Sequence, residues 1–331
     1  MDRIAVLGAG AWGTALAQHL GAHGVPVALW ARRAELAEQL RRTRLNPLLP
    51  GVALAQAVHV SDRLEEALAG AELVLLAAPS HTVRELLSHA APHWPPAAVL
   101  VSAAKGIENH TLLTTAEVAG EVLGERLGQR IVVLSGPSFA AEVAAGQPTS
   151  LVAAADDIQL AERVQRELSL GRLRVYTSSD PMGVQVAGAL KNVIAIAVGA
   201  SDGLGFGQNA RAALITRGLS EIARLGVAKG GRAGTAAGLA GLGDLVLTCT
   251  GEMSRNRTVG FELGRGRPLA EVLAALGHVA EGVTTARSAH DLALELGVEL
   301  AICAQVYQVL YAGKLPQDAV EDLIRRPLVR E

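Results

Sequence analysis

Aromatic side chains are scarce: Phe, Trp and Tyr occur three times each and make up 3% of the 331 residues. A core must then be assembled from Ala, Leu and Val. Cysteine is scarcer still, and Cys249 and Cys303 lie far apart in the chain. That count and spacing argue against a disulfide framework or a cysteine-built metal cluster, so no metal is expected. Neither sign of charge dominates: the formal net charge is −2, without the electrostatic footprint of a nucleic-acid or membrane-surface binder. No uninterrupted apolar run reaches the ~18–20 residues of a membrane span. The opening MDRIAVLGAG enters a strand-like run at once and lacks the layout of a signal peptide; the cytoplasm is the expected compartment. Lysine is the most pointed shortage. Of 30 basic residues only Lys105, Lys191, Lys229 and Lys314 are lysine, and the other 26 are arginine. Arginine cannot titrate near neutral pH, so a lysine retained against this bias marks a place where a titratable amine is useful. Lys229 and Lys314 read as ordinary surface residues.

Apolar residues make up 50% of the chain, and at ~100–200 residues per domain two domains are expected. RIAVL (3–7) reads as a short buried strand running into Gly8-Ala-Gly10-Ala11-Trp12-Gly13 and an apolar helix to about Leu20. GxGxxG between a strand and a helix is the dinucleotide fingerprint. Its glycines permit a tight turn, close backbone approach to a pyrophosphate, and helix-to-strand packing. The phosphates belong at the helix N-terminus, where unbonded N–H groups and the dipole favour an anion. A second strand, PVALW (26–30), follows where the fingerprint places it. Instead of an acid for the ribose hydroxyls of NAD, Ala31-Arg32-Arg33 stands at its end. Arginine there suits the 2′-phosphate of NADP; the alternative is that Arg32 and Arg33 merely open a solvated helix over 33–42.

Further strands are read near 57–60, over 72–78, 98–104 and 131–134, with helices between them. Ligands in open parallel sheets bind beyond the carboxyl ends of strands, where Pro79, Lys105, Gly136 and Ser138 fall. For Ser138 a turn or cap role is an equal alternative. Alternation to about residue 180 makes an α/β, Rossmann-type doubly wound domain over 1–180; beyond Asp180-Pro181 helical spacing takes over, giving an all-α domain over 181–331.

The most informative helix is that of GALKNVIAIAVG (188–199). Between Val184 and Ala200 the only polar side chains are Gln185, Lys191 and Asn192. On a helix Lys191 is flanked by Ala187, Gly188, Ile194 and Ala195. An ammonium on that apolar floor needs a partner, and desolvation lowers its pKa towards the range of proton transfer; alternatively the head group snorkels out to water. Asp244, after glycines and before an apolar run, reads as an N-cap. Ser254-Arg255-Asn256 offers a guanidinium fork, an amide and a hydroxyl suited to a small phosphate, or else is a polar loop.

GAGAWGTALA (8–17), AAKGIE (103–108), SGPSFAAEV (135–143), GALKNVIAIAVG (188–199), GLAGLGDLVLTCTG (238–251), SRN (254–256) and VAEGVTT (279–285) occur in one chain in this order. Together they resemble the bacterial NAD(P)-dependent glycerol-3-phosphate dehydrogenases from end to end. The resemblance implies a Rossmann-type domain and an α-helical domain with the active site between them. It implies reversible interconversion of dihydroxyacetone phosphate and sn-glycerol 3-phosphate, feeding glycerophospholipid synthesis, by a homodimer that uses NADP or NAD, with NADPH favoured. It places cofactor contacts on Gly8, Gly10, Ala11, Trp12, Gly13, Arg32, Arg33, Lys105, Ala140, Arg255, Val279 and Glu281. Substrate contacts fall on Lys105, Gly136, Ser138, Lys191, Asp244, Ser254, Arg255 and Asn256, with Lys191 the catalytic proton donor and acceptor. The family often has serine at the place of Ala11, so a hydroxyl contact is missing there. The rivals are a β-hydroxyacid-type dehydrogenase, which typically places asparagine where Ala195 stands, and a non-catalytic NADP-binding sensor.

Overall fold

A computed structural model describes residues 3–327 apart from 125, 126, 128 and 278. The chain divides into two compact units. One runs to Lys105 and resumes over Leu113–Pro181; the other takes Gly106–Leu112 and the chain from Met182 onward.

Among the described residues of the first unit, eight strands form one sheet: β1 (Ile4–Leu7), β2 (Val27–Trp30), β3 (Val58–Ser61), β4 (Leu73–Leu76), β5 (Val99–Ser102), β6 (Ile131–Ser135), β7 (Thr149–Ala154) and β8 (Leu173–Ser178). Their order is β3-β2-β1-β4-β5-β6-β7-β8. Every residue of β1, β2, β4 and β5 is buried, as expected of parallel strands covered on both faces. Leu16, Leu20, Leu40, Val164 and Leu168 cover one face, while Leu68, Leu87 and Val118 cover the other. The strand order reverses between β1 and β4, the switch point at which such sheets bind ligands. All pairs are parallel except β6 with β7. That reversal departs from a simple alternation of strand and crossover helix: the helix between β6 and β7, Ala140–Ala144, has only five residues, and β7 enters beside β6 antiparallel.

The second unit is helical. At its centre lies the helix Pro181–Gly203, 23 residues long. By length and composition it matches a membrane span, contrary to the expectation that no run would, yet 89% of its apolar window is buried inside the protein. Its length is accounted for by a core that surrounds it. Leu190, Val193 and Ile194 pack with Ile222, Leu225, Leu245, Val259, Val283, Leu292, Ile302 and Val306 of five other helices, each such side chain contributing ~1.5–3 kcal/mol on burial. One of those helices, Ala301–Tyr311, has no side-chain cap of its own; the buried Glu221 accepts the Ile302 and Cys303 N–H groups at 2.7 and 3.1 Å instead. Cys249 and Cys303 are both buried free thiols.

Candidate active site

In the second unit the lysine does not snorkel. Lys191 Nζ donates to Asp244 Oδ1 at 2.7 Å and to Thr248 Oγ1 at 2.7 Å, and the two charged side chains are only 8% and 2% exposed. Asp244 is not an N-cap. It opens the helix Asp244–Thr250, whose cap position is Gly243, after a wide π-type turn over Leu239–Gly243. Such turns insert a residue and re-aim the side chain that follows; here it faces the lysine. Thr248, one helical turn on, donates to the Asp244 carbonyl at 2.6 Å while accepting from Lys191. Its i,i+4 spacing from Asp244 was the signal available for finding it. Behind the pair, burial pushes the Cys249 thiol up to about 12, so it stays a neutral, apolar neighbour rather than a nucleophile.

The triplet after this helix is ordered by capping. Ser254 is the N-cap of the helix Arg255–Gly264, its hydroxyl accepting from the Arg257 N–H at 3.3 Å. Arg255, in the first turn, is exposed, while Asn256 is buried. Asn256 Nδ2 donates to Asn192 Oδ1 at 2.8 Å, and Asn256 Oδ1 accepts from the Gly282 N–H at 2.9 Å. The residue beside Lys191 is thereby tied to the triplet and to the start of the helix Glu281–Glu295. A Cβ on Gly282 would stand 2.5 Å from the Asn192 carbonyl oxygen, so glycine is what lets that helix end approach. Glu281 opens this helix and Val279 is exposed just before it. Ala187, Gly188 and Ala195 are buried in helix packing; the small side chains make room for neighbouring helices.

In the first unit the fingerprint has the geometry its glycines imply. Gly8 sits at φ +122°, and a Cβ there would approach the Ala77 carbonyl oxygen to 2.7 Å; one on Gly13 would meet the Gly8 oxygen at 1.9 Å. Gly10 instead has nothing within 4 Å of an added Cβ, which leaves room for a phosphate. The helix Ala11–Ala22 that it caps has no side-chain cap and no acidic residue in its first turn, so its first N–H groups suit an anion. Asn46 is buried against this turn, donating to the Ala9 carbonyl at 3.0 Å and Thr14 Oγ1 at 2.6 Å. Ala11, Trp12 and Ala140 gather around Ala15, Leu49 and Val143. Arg32 and Arg33 are exposed beyond β2, and Arg33 takes the cap position of the helix Ala34–Thr43 without a side-chain cap bond.

Beyond β5 and β6, the Gly136 carbonyl accepts from Lys105 Nζ at 3.4 Å and from Ser138 Oγ at 3.1 Å. Gly136 adopts φ +129°, and a Cβ there would press on Leu151 and Ser150 at 3.1 Å. Lys105, Gly136 and Ser138 thus form one group at the carboxyl end of the sheet.

Residues 3–161 match the N-terminal model, and residues 180–321 the C-terminal model, of NAD-dependent glycerol-3-phosphate dehydrogenase. A glycerol-3-phosphate dehydrogenase [NAD(P)+] of Geobacter metallireducens is 53% identical over 326 residues, covering 98% of this chain and 97% of that protein. Its counterpart in Geobacter sulfurreducens is 52% identical over 331 residues, 100% of this chain and 99% of that protein. The crystal structure of the Coxiella burnetii glycerol-3-phosphate dehydrogenase superposes with a TM-score of 0.93 at 38% identity, over 98% of this chain and 99% of that one. A buried Lys–Asp pair on one unit, a dinucleotide fingerprint on the other and two matching family models lead to one conclusion: the chain belongs to the NAD-dependent glycerol-3-phosphate dehydrogenase family of oxidoreductases.

Proposed function

We propose that this protein reduces dihydroxyacetone phosphate to sn-glycerol 3-phosphate reversibly, with Lys191 as the group that moves the proton. The observation that carries the reading is the 2.7 Å pair of Lys191 and Asp244, both buried, with Thr248 as the lysine's second acceptor. Bound NAD(P)H supplies the hydride. As negative charge grows on the ketone oxygen, the Lys191 ammonium stabilises it and delivers a proton; in the reverse direction the neutral amine takes the proton from the alcohol. Asp244 aims the amine and favours its charged form, and Thr248 fixes its approach. Arg255, Asn256 and Ser254 are the phosphate contacts of the helical unit; Lys105, Gly136 and Ser138 are substrate contacts of the sheet unit.

Residues 1–180 serve in this reading as the NAD(P)-binding domain and 181–331 as the substrate-binding and catalytic domain. Gly8, Gly10, Ala11, Trp12 and Gly13 hold the pyrophosphate; its open anion-suited turn fits that group without the hydroxyl that Ala11 lacks. Arg32 and Arg33 select NADPH, and Ala140, Val279 and Glu281 complete the cofactor contacts with Lys105 and Arg255. The product feeds glycerophospholipid synthesis in the cytoplasm, and the assembly is a homodimer, which sedimentation of the purified chain tests.

The deciding experiment is Lys191→Met, which keeps bulk and removes the proton. Turnover of dihydroxyacetone phosphate is expected to fall by ~10³-fold, with NADPH affinity unchanged. Near-normal turnover in this variant rules the assignment out.

A further inference from the structure

The helix that carries Lys191 and Asn192 and the helix that opens with Arg255 and Asn256 are locked together at three levels. Asn256 bonds Asn192 at one end. At the other, Gly199 and Gly203 face Gly260 and Gly264 so closely that a Cβ on any of them would stand 2.0–2.3 Å from a carbonyl oxygen of the opposite helix. Beside these glycine contacts is an ion cluster that the proton-transfer chemistry does not use. Asp202 Oδ2 accepts from Arg257 Nε at 3.0 Å and Nη2 at 2.8 Å, while Oδ1 accepts from Arg211 Nε at 3.1 Å and Nη2 at 2.9 Å. The carboxylate is 6% exposed and its arginines 21% and 23%.

This is an unfavourable place for an acid. Asp202 lies in the last turn of Pro181–Gly203, against the negative end of the helix dipole. Buried ion clusters of this kind commonly add no net stability over apolar side chains of the same volume; the best-attested use of such groups is to fix registry. The registry here concerns the phosphate triplet. Arg257 follows Asn256 directly, and its own N–H is the one that Ser254 caps. Holding the Arg257 guanidinium through two N–H groups therefore holds the first turn of Arg255–Gly264.

We propose that Asp202 is a positioning residue for phosphate recognition: by bracing Arg257 it holds Arg255 and Asn256 where they can bind the phosphate. The inference rests on the roles given above to Lys191 and to the triplet. Misplacing one charge-assisted contact to the phosphate is enough to lose ~10–100-fold in binding.

The test uses the full-length enzyme with saturating NADPH and two ketones, dihydroxyacetone phosphate and dihydroxyacetone, which lacks the phosphate. Asp202→Asn, and independently Arg257→Lys, which keeps the charge and loses the fork, are expected to raise KM for the phosphorylated ketone by ~10–100-fold with kcat within ~3-fold. The kcat/KM for dihydroxyacetone stays within ~2-fold of wild type, since that substrate has no phosphate to place. Arg211→Met, which leaves the Arg257 contact in place, leaves KM unchanged. An unchanged KM in both Asp202→Asn and Arg257→Lys, an equal loss on both ketones, or an equal effect of Arg211→Met overturns the proposal. A wild-type chain that does not turn over dihydroxyacetone phosphate at all defeats the dehydrogenase reading instead.

Discussion

Lys191 and Asp244 form a charge pair in which neither member can be removed quietly. Asp244→Leu leaves a buried ammonium without its counter-charge and is expected to destabilise the chain by ~3–5 kcal/mol, read as a lower urea midpoint at unchanged slope. Thr248→Val keeps the shape of the side chain and removes the lysine's second acceptor. A hydrogen bond to a charged group is worth ~1.5 kcal/mol, so kcat should fall about tenfold while the fold is retained; an unaltered kcat would show that Asp244 alone aims the amine. The lysine was legible in the sequence because it interrupts an apolar stretch; the aspartate, which reads locally as an N-cap, joined the site only through the resemblance. Thr248 was missed although it stands one helical turn from Asp244, because a threonine in LVLTCTG suits a helix whether or not it serves the site. Asn256 was read with its neighbours as a phosphate site or a polar loop; the structure buries its amide, which bridges Asn192 and Gly282.

Helices and strands followed the hydrophobic pattern closely, and the departures have physical causes. TSLVAA reads as a strand in either direction, so the antiparallel entry of β7 shows only in its pairing with β6. The capping of Ala301–Tyr311 by Glu221 joins partners eighty-one residues apart, beyond any local rule. That contact has a pH signature. Burial is the main cause raising the Glu221 carboxyl above its ordinary 4.5, against the lowering pull of the Ile302 and Cys303 N–H groups. The folded state therefore holds its proton more tightly than the unfolded state. Stability from this group is fully present below pH 4.5 and is lost as pH rises from there through the folded value. Glu221→Gln, which cannot ionise, should remove that slope. Urea unfolding of both proteins from pH 4 to pH 7 checks it, and parallel curves would mean that Glu221 ionises as readily in the fold as outside it.

At the scale of the whole chain two cores were expected and two units are found, one around a sheet and one around the lysine helix. The passage of Gly106–Leu112 into the second unit was not legible: Ile107 and Leu112, buried with the helical core, are set among polar residues in a segment that reads as loop. Cofactor choice is where motif and structure bear jointly on the complete protein. After β2 the chain presents Arg32 and Arg33 exposed, and Asp62, which follows the neighbouring β3, is engaged by Arg41 at 3.1 Å. That hydrogen bond holds the Asp62 carboxyl below its ordinary range, keeping it ionised and committed to Arg41. Ligands stabilise a fold in proportion to their affinity, by ~2.7 kcal/mol at one hundred times Kd. If the proposed 2′-phosphate role of Arg32 and Arg33 holds, Arg32→Ala/Arg33→Ala removes charge-assisted bonds and weakens NADPH by ~10–100-fold. At fixed NADPH the stabilisation should then shrink by ~1.4–2.7 kcal/mol, whereas NADH, which has no such phosphate, should stabilise wild type and variant alike. Thermal unfolding of the two proteins with each cofactor separates the roles: loss confined to NADPH assigns the arginines to the phosphate, and no loss with either cofactor leaves them as the solvated opening of the helix Ala34–Thr43.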